Sequence, residues 1–129
     1  MGPEKVPRVS LLHWNDELAQ KLNFCEQDSD SFLNVLKSGI SENFSPFAQA
    51  YAGHQFGRFN ILGDGRAVIL GEFGFDKTER FDLQFKGSGA TQFSRRGDGK
   101  AALGPMIREL IVSEAMSGLR IPTTRSLAV

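Results

Sequence analysis

The chain has 129 residues, 40% apolar and 23% charged, the balance of one soluble globular domain. Fifteen basic residues cancel fifteen acidic ones, so no global field recruits nucleic acid or a membrane surface, and any anion site must be local. The lone Cys25 excludes an internal disulfide or a cysteine-based zinc cluster. No apolar run reaches the roughly 18 residues of a membrane span, and the N-terminus lacks a signal-peptide core, so an intracellular, soluble protein is expected.

Residues 1–9 carry two prolines and alternating charges and read as an extended arm. Asn15 or Asp16 is placed to cap a short helix through about Asn23, with Leu18 and Leu22 on one face. A second helix is expected from about Ser31 to Lys37, stopped by Gly39. Neither carries a chemical signature.

Residues 44–57, FSPFAQAYAGHQFG, are rich in aromatics without a clean period. His54 has no second ligand at metal spacing and HExxH is absent, so a packed or hydrogen-bonded histidine is expected. Residues 58–75 read as a hairpin, with Asn60–Leu62 entering Gly63-Asp64-Gly65 and Ala67–Leu70 leaving it. Those glycines suit a tight turn and equally suit the close approach of a ligand, with the donor fork of Arg66 following.

Phe81 to Lys86 alternates as a strand, with Phe81, Leu83 and Phe85 on one face and Asp82, Gln84 and Lys86 on the other. The loop 87–100, GSGATQFSRRGDGK, combines four glycines with Arg95, Arg96 and Lys100, a composition suited to phosphate. Gly97-Asp98-Gly99 with Ala102 imitates GxGxxA, but the strand ends about ten residues too early for a dinucleotide fold, and GxxxxGK[ST] is absent. The same three cations would be needed by a nucleic-acid binder. Zero net charge and the lack of an aromatic–basic platform argue against one.

A long helix is expected from about Ala101 to Leu119, with Pro105 tolerated in its first turn. Its apolar residues spread around much of the circumference, so it is expected to be sandwiched. Glu109 and Glu114 sit within this apolar helix and call for a partner, for which Lys86 is the natural candidate. Periodicity favours Glu114 over Glu109. Gly118 to Pro122 ends the helix, and Thr123 to Val129 starts another strand.

A glycine turn, then a strand lysine, then a helix glutamate is the chain order of a protein-kinase small lobe, although GxGxxGxV and VAIK are absent. The segments YAGHQFG (51–57), LGDGRA (62–67), LQFKGSG (83–89), SRRGDGKAAL (94–103), IRELIVSEAM (107–116) and IPTTRSLAV (121–129) resemble the selenoprotein O family, also called the YdiU family. The resemblance covers nearly the whole chain from about Asn15.

It implies a kinase-like α+β fold with an antiparallel sheet, one main helix and N-terminal helical decoration. It also implies transfer of AMP from ATP to Ser, Thr or Tyr hydroxyls of proteins, with ATP flipped relative to ordinary kinases. Carried over by position, Gly63, Gly65 and Arg66 match the family's nucleotide-binding GDGR. Lys86 matches the lysine of its LKGxG strand, and Asp98 and Gly99 match its second nucleotide-contacting turn. Glu109 matches the glutamate of IREFL that pairs with the lysine, which overrides the periodicity preference for Glu114.

The departures are Phe85, Phe93 and Gly104-Pro105-Met106, none at a carried-over binding position. Family members are several times longer. Their catalytic aspartate and Mg²⁺ ligands are expected beyond Val129, so residues 1–129 are expected to be a single nucleotide-binding domain with little catalysis of its own. ATP and Mg²⁺ are the expected cofactors, and proteins with free hydroxyls the expected partners, with no nucleic acid and no membrane. The expected location is cytoplasmic in a bacterium, or mitochondrial in a eukaryote, although no transit peptide is visible. A non-catalytic nucleotide-binding scaffold and an ordinary protein kinase are the alternatives.

Overall fold

The computed structural model describes residues 2–39, 45–74 and 79–129. Among the described residues it is an α+β fold of three helices and two small antiparallel sheets, in keeping with a kinase-like small lobe. The elements in order are α1 (Asp16–Lys21), α2 (Glu26–Ser38), β1 (Ala50–Gln55), β2 (Arg58–Gly63), β3 (Ala67–Gly74), β4 (Arg80–Lys86) and α3 (Leu103–Gly118). The chain divides into two compact units, residues 1–7 with 35–101, and residues 8–34 with 102–129.

The first unit holds both sheets. Strand β1 pairs with β2 in register from Ala50 opposite Gly63 to Gln55 opposite Arg58. Phe56 and Gly57 make the two-residue turn, with φ of 55° and 73°. Two successive left-handed residues match the twist of the flanking strands, which is what a tight hairpin demands. The hairpin expected around Gly63-Asp64-Gly65 does not form. Strand β2 pairs backward with β1, and β3 pairs forward with β4. A D-G turn signal reports local flexibility only and carries no information about which neighbour each strand will choose.

The core of this unit is the first half of β3, where Ala67, Val68, Ile69 and Leu70 are all buried. Phe47 exchanges two backbone hydrogen bonds with Ile69 on one side of β3, while β4 lines the other. Burial of four consecutive residues means that both faces of the strand are covered there, which is why the segment reads as a continuous apolar run rather than an alternating one. The β3–β4 register slips between Ile69 and Gly71, a bulge at Leu70. Beyond it, Phe73 stacks on Phe81 with ring centroids 5.7 Å apart. Strand β4 alternates between exposed and half-buried residues as its sequence predicts.

In the second unit, the Asn15 side chain caps α1 by accepting from the Leu18 backbone N–H at 3.0 Å. Leu18, Ala19 and Leu127 are buried, and Phe32 packs edge-on against Phe24 and near Trp14. Helix α2 begins five residues before the expected Ser31 and stops where Gly39 turns left-handed, with φ of 70°. The C-terminal segment forms no full strand but runs beside residues 12–15, as the Leu12, His13 and Asn15 N–H groups donate to the carbonyls of Val129, Val129 and Leu127.

Helix α3 contradicts its expectation. None of its residues is buried, and Leu103, Ile111 and Val112 are at least half exposed. The circumferential spread of apolar residues reports what the helix is able to bury, while burial itself requires a neighbour that the described residues do not supply. Among the described residues no helix is long and apolar enough to cross a membrane.

Candidate functional site

Two loops of the first unit meet to form the site. The turn after β2 carries Gly63, Asp64, Gly65 and Arg66, and the segment after β4 carries residues 87–100. Gly65, Arg66, Phe93, Ser94, Gly97, Asp98, Gly99 and Lys100 line a wide-mouthed hollow of ≈ 360 Å³. Gly65 and Arg66 lie more than thirty residues before Asp98 and Gly99, and folding brings onto one hollow these four positions that the family resemblance marks for nucleotide binding.

Lys86 is the last residue of β4, directly opposite Ala67 in the ladder, and the following Gly87 donates its N–H to the Arg66 carbonyl at 2.6 Å. The strand lysine and the turn arginine are thereby fixed at the same end of the β3–β4 hairpin. Both side chains are exposed. Gly63 stands at the end of β2, and a Cβ there would overlap the ring of Phe93.

Gly99 is buried with φ of 69°, and a Cβ there would run into the backbone of Gly89. A glycine in this position lets two chain segments touch, and Gly89 duly donates its N–H to the Gly99 carbonyl at 3.3 Å. Asp98 folds back so that its carboxylate accepts the Lys100 N–H at 2.9 Å. The Lys100 ammonium in turn lies 3.3 Å from Glu4 of the N-terminal arm. Both are about half exposed, so this pair is worth little in stability, but it gives one of the loop's cations a protein partner.

Glu109 and Glu114 belong to the second unit. Glu114 accepts two hydrogen bonds from Arg125, Nε to Oε1 at 2.9 Å and Nη2 to Oε2 at 2.5 Å. That fork holds the Glu114 carboxyl below its ordinary range and raises Arg125 above its own. The carboxylate that periodicity put forward for Lys86 is thus engaged by an arginine eleven residues downstream. Glu109 lies on an exposed part of α3.

His54 is exposed and meets Phe59 edge-on, with ring centroids 5.4 Å apart. No group of three or more His, Cys, Asp or Glu side chains able to hold a metal occurs among the described residues. The hollow offers one carboxylate, Asp98, alongside backbone amides and cations. That donor set fits the phosphates of a nucleotide and does not by itself form a divalent-cation cage.

Two residues escaped the sequence reading. Thr91 and Ser94 each send a hydroxyl to a carbonyl of the 63–66 turn, with Thr91 Oγ1 donating to Asp64 O and Ser94 Oγ to Gly65 O, both at 2.5 Å. Hydroxyl residues in a glycine-rich loop were the only visible signal.

Comparison with known proteins decides the lineage. The sequence model of the family described as "Protein adenylyltransferase SelO" matches residues 1–129. The chain belongs to the SelO family. It is 56% identical to "Protein nucleotidyltransferase YdiU" of Lachnoclostridium phytofermentans over 98% of its own length and 27% of that protein. Against the protein of the same name from Clostridium botulinum it is 56% identical, covering 99% of the chain and 27% of the relative. The Pelagibacter ubique protein of that name is 54% identical, covering 100% and 27%. The chain therefore spans about a quarter of the length of these curated relatives. As a SelO-family chain, it corresponds to that quarter of proteins named nucleotidyltransferases.

Proposed function

We propose that residues 1–129 are the nucleotide-binding portion of a bacterial, cytoplasmic protein adenylyltransferase. The complete protein moves AMP from ATP to Ser, Thr or Tyr hydroxyls of other proteins. The observation that carries this reading is the convergence of Gly65, Arg66, Asp98 and Gly99 on one hollow, with Lys86 anchored beside Arg66.

In this reading the hollow takes the phosphate chain of ATP. Gly63, Gly65 and Gly99 shape the two turns that face the phosphates, and Arg66 and Lys86 neutralise their charge. Asp98 shapes its turn by holding the Lys100 N–H. Glu109 orients Lys86 through an ion pair. In the transfer, a protein hydroxyl oxygen bonds to the α-phosphorus as the bond to pyrophosphate breaks. The hydroxyl proton passes to a base, and pyrophosphate departs. The base and the ligands for Mg²⁺ belong to the longer protein. Mg²⁺ would supply charge neutralisation on the phosphates, and this chain's part is to bind and orient them.

Mass spectrometry of a protein substrate incubated with Mg-ATP and the family-length protein tests the reading. A gain of one AMP per modified site, lost in Lys86→Ala, is the expected result. A gain of phosphate would make the protein an ordinary kinase. Intact ATP binding without modification would leave a non-catalytic scaffold.

A further inference from the structure

We infer that Thr91 and Ser94 are positioning residues, a pair of hydroxyl latches that set the distance between the two loops of the nucleotide site. The inference rests on the nucleotide reading of the hollow.

Each hydroxyl works in both directions. Thr91 Oγ1 donates to the Asp64 carbonyl at 2.5 Å and accepts the Phe93 N–H at 3.1 Å. Ser94 Oγ donates to the Gly65 carbonyl at 2.5 Å and accepts the Thr91 N–H at 2.7 Å. The Ser94 N–H closes the turn onto the Thr91 carbonyl at 3.1 Å. A hydroxyl has one proton to give and lone pairs to receive, so these two side chains satisfy donors of their own loop and acceptors of the opposite one. No aliphatic side chain can do both.

The placement is specific to the site. The carbonyls that receive these bonds belong to the two central residues of the Gly63–Arg66 turn. Between the two latches, the ring of Phe93 fills the space beside Gly63, and the Phe93 carbonyl lies 3.0 Å from where a Cβ on Gly65 would be. Thr91 is itself buried, at 7% exposure, so its hydroxyl has no ready exchange with water. Downstream, Gly97 donates to the Ser94 carbonyl at 2.8 Å, which carries the constraint into the turn bearing Asp98 and Gly99. The latches thus span from one half of the nucleotide site to the other, although neither hydroxyl has to touch the nucleotide.

The test uses the family-length protein and measures ATP affinity by calorimetry alongside the thermal midpoint. Thr91→Val and Ser94→Ala remove the hydroxyls, and Thr91→Ser and Ser94→Thr keep them. Each removal is expected to weaken ATP binding roughly 5- to 10-fold, as for one lost buried hydrogen bond. The conservative variants should restore affinity to within about twofold. The double removal should fall short of the product of the two, since Ser94 Oγ also holds the Thr91 N–H.

Lys86→Ala separates the two levels of the argument. If it weakens ATP binding while both hydroxyl removals leave affinity unchanged in folded protein, the latch is overturned and the nucleotide site stands. If Lys86→Ala has no effect, the site reading falls and the latch falls with it. A removal variant that lowers the thermal midpoint and weakens ATP no more than its hydroxyl-bearing counterpart would make the hydroxyls merely structural, and also overturns the proposal.

Discussion

The ring of Phe93 occupies the space in which a side chain on Gly63 would begin. One residue ends β2 and the other lies thirty positions downstream, so a glycine assigned to nucleotide binding has a packing duty as well. Gly63→Ala is expected to push the Phe93 loop away from the turn, costing about 1–3 kcal/mol of stability. Gly63→Ala combined with Phe93→Ala should recover part of that loss, which a double-mutant cycle of thermal midpoints would read. Simple additivity would show that the ring and the glycine do not compete for the same space.

Gly97 and Gly99 flank Asp98 but should respond differently. At Gly99 a Cβ would strike the Gly89 backbone, and the φ of 69° is itself unfavourable for a side chain. At Gly97 the nearest atom outside its immediate chain neighbours is the Ser94 carbonyl oxygen at 3.3 Å. Gly99→Ala is expected to destabilise by roughly 2–4 kcal/mol, combining strain with overlap, and Gly97→Ala by less than about 1 kcal/mol. Denaturant midpoints of the two variants check the ordering.

Arg125 holds Glu114 in a two-point fork, which depresses the folded-state carboxyl below its ordinary value of 4.5. A carboxylate with a depressed folded value adds stability above its unfolded value and loses it as pH falls through the folded one. The contribution should therefore be complete at neutral pH and fade from about pH 4.5 downward. Glu114→Gln is expected to cost about 1 kcal/mol at pH 7. Melting curves of variant and parent should converge in acid, and a gap that persists at pH 2 would contradict the assignment.

Lys86 and Glu109 provide the test of the ion pair proposed for the complete protein. In the family-length protein, Lys86→Ala should weaken ATP binding by about 10-fold or more, as for a lost charge-assisted contact to phosphate. Glu109→Gln should have a smaller effect that largely disappears in the Lys86→Ala background. Independent, additive losses would separate the two residues. The calorimetric affinities of the four proteins decide it.

The readings that held are those whose cause lies within a few residues. Asn15 caps α1 because a side chain and an amide three positions on are neighbours whatever the rest of the chain does. Gly39 ends α2 by adopting a left-handed backbone, and β4 alternates because its two faces have different surroundings. The family was legible for a related reason, since long segments such as LQFKGSG and SRRGDGKAAL carry their own signature in order.

The readings that failed depend on a choice among distant partners. Strand β2 turned back to β1 because Phe56 accepts a left-handed φ ahead of Gly57, which no N-G or D-G signal marks. The circumferential spread of apolar residues on α3 shows what the helix is able to bury, yet the environment that would bury Ile111 and Val112 is set by neighbours and not by periodicity. Glu114 found Arg125, and the hydroxyls of Thr91 and Ser94 found the carbonyls of Asp64 and Gly65 nearly thirty residues away. Local backbone preference is written in adjacent residues. Pairing across the fold is a competition among all donors and acceptors, and only the folded arrangement resolves it.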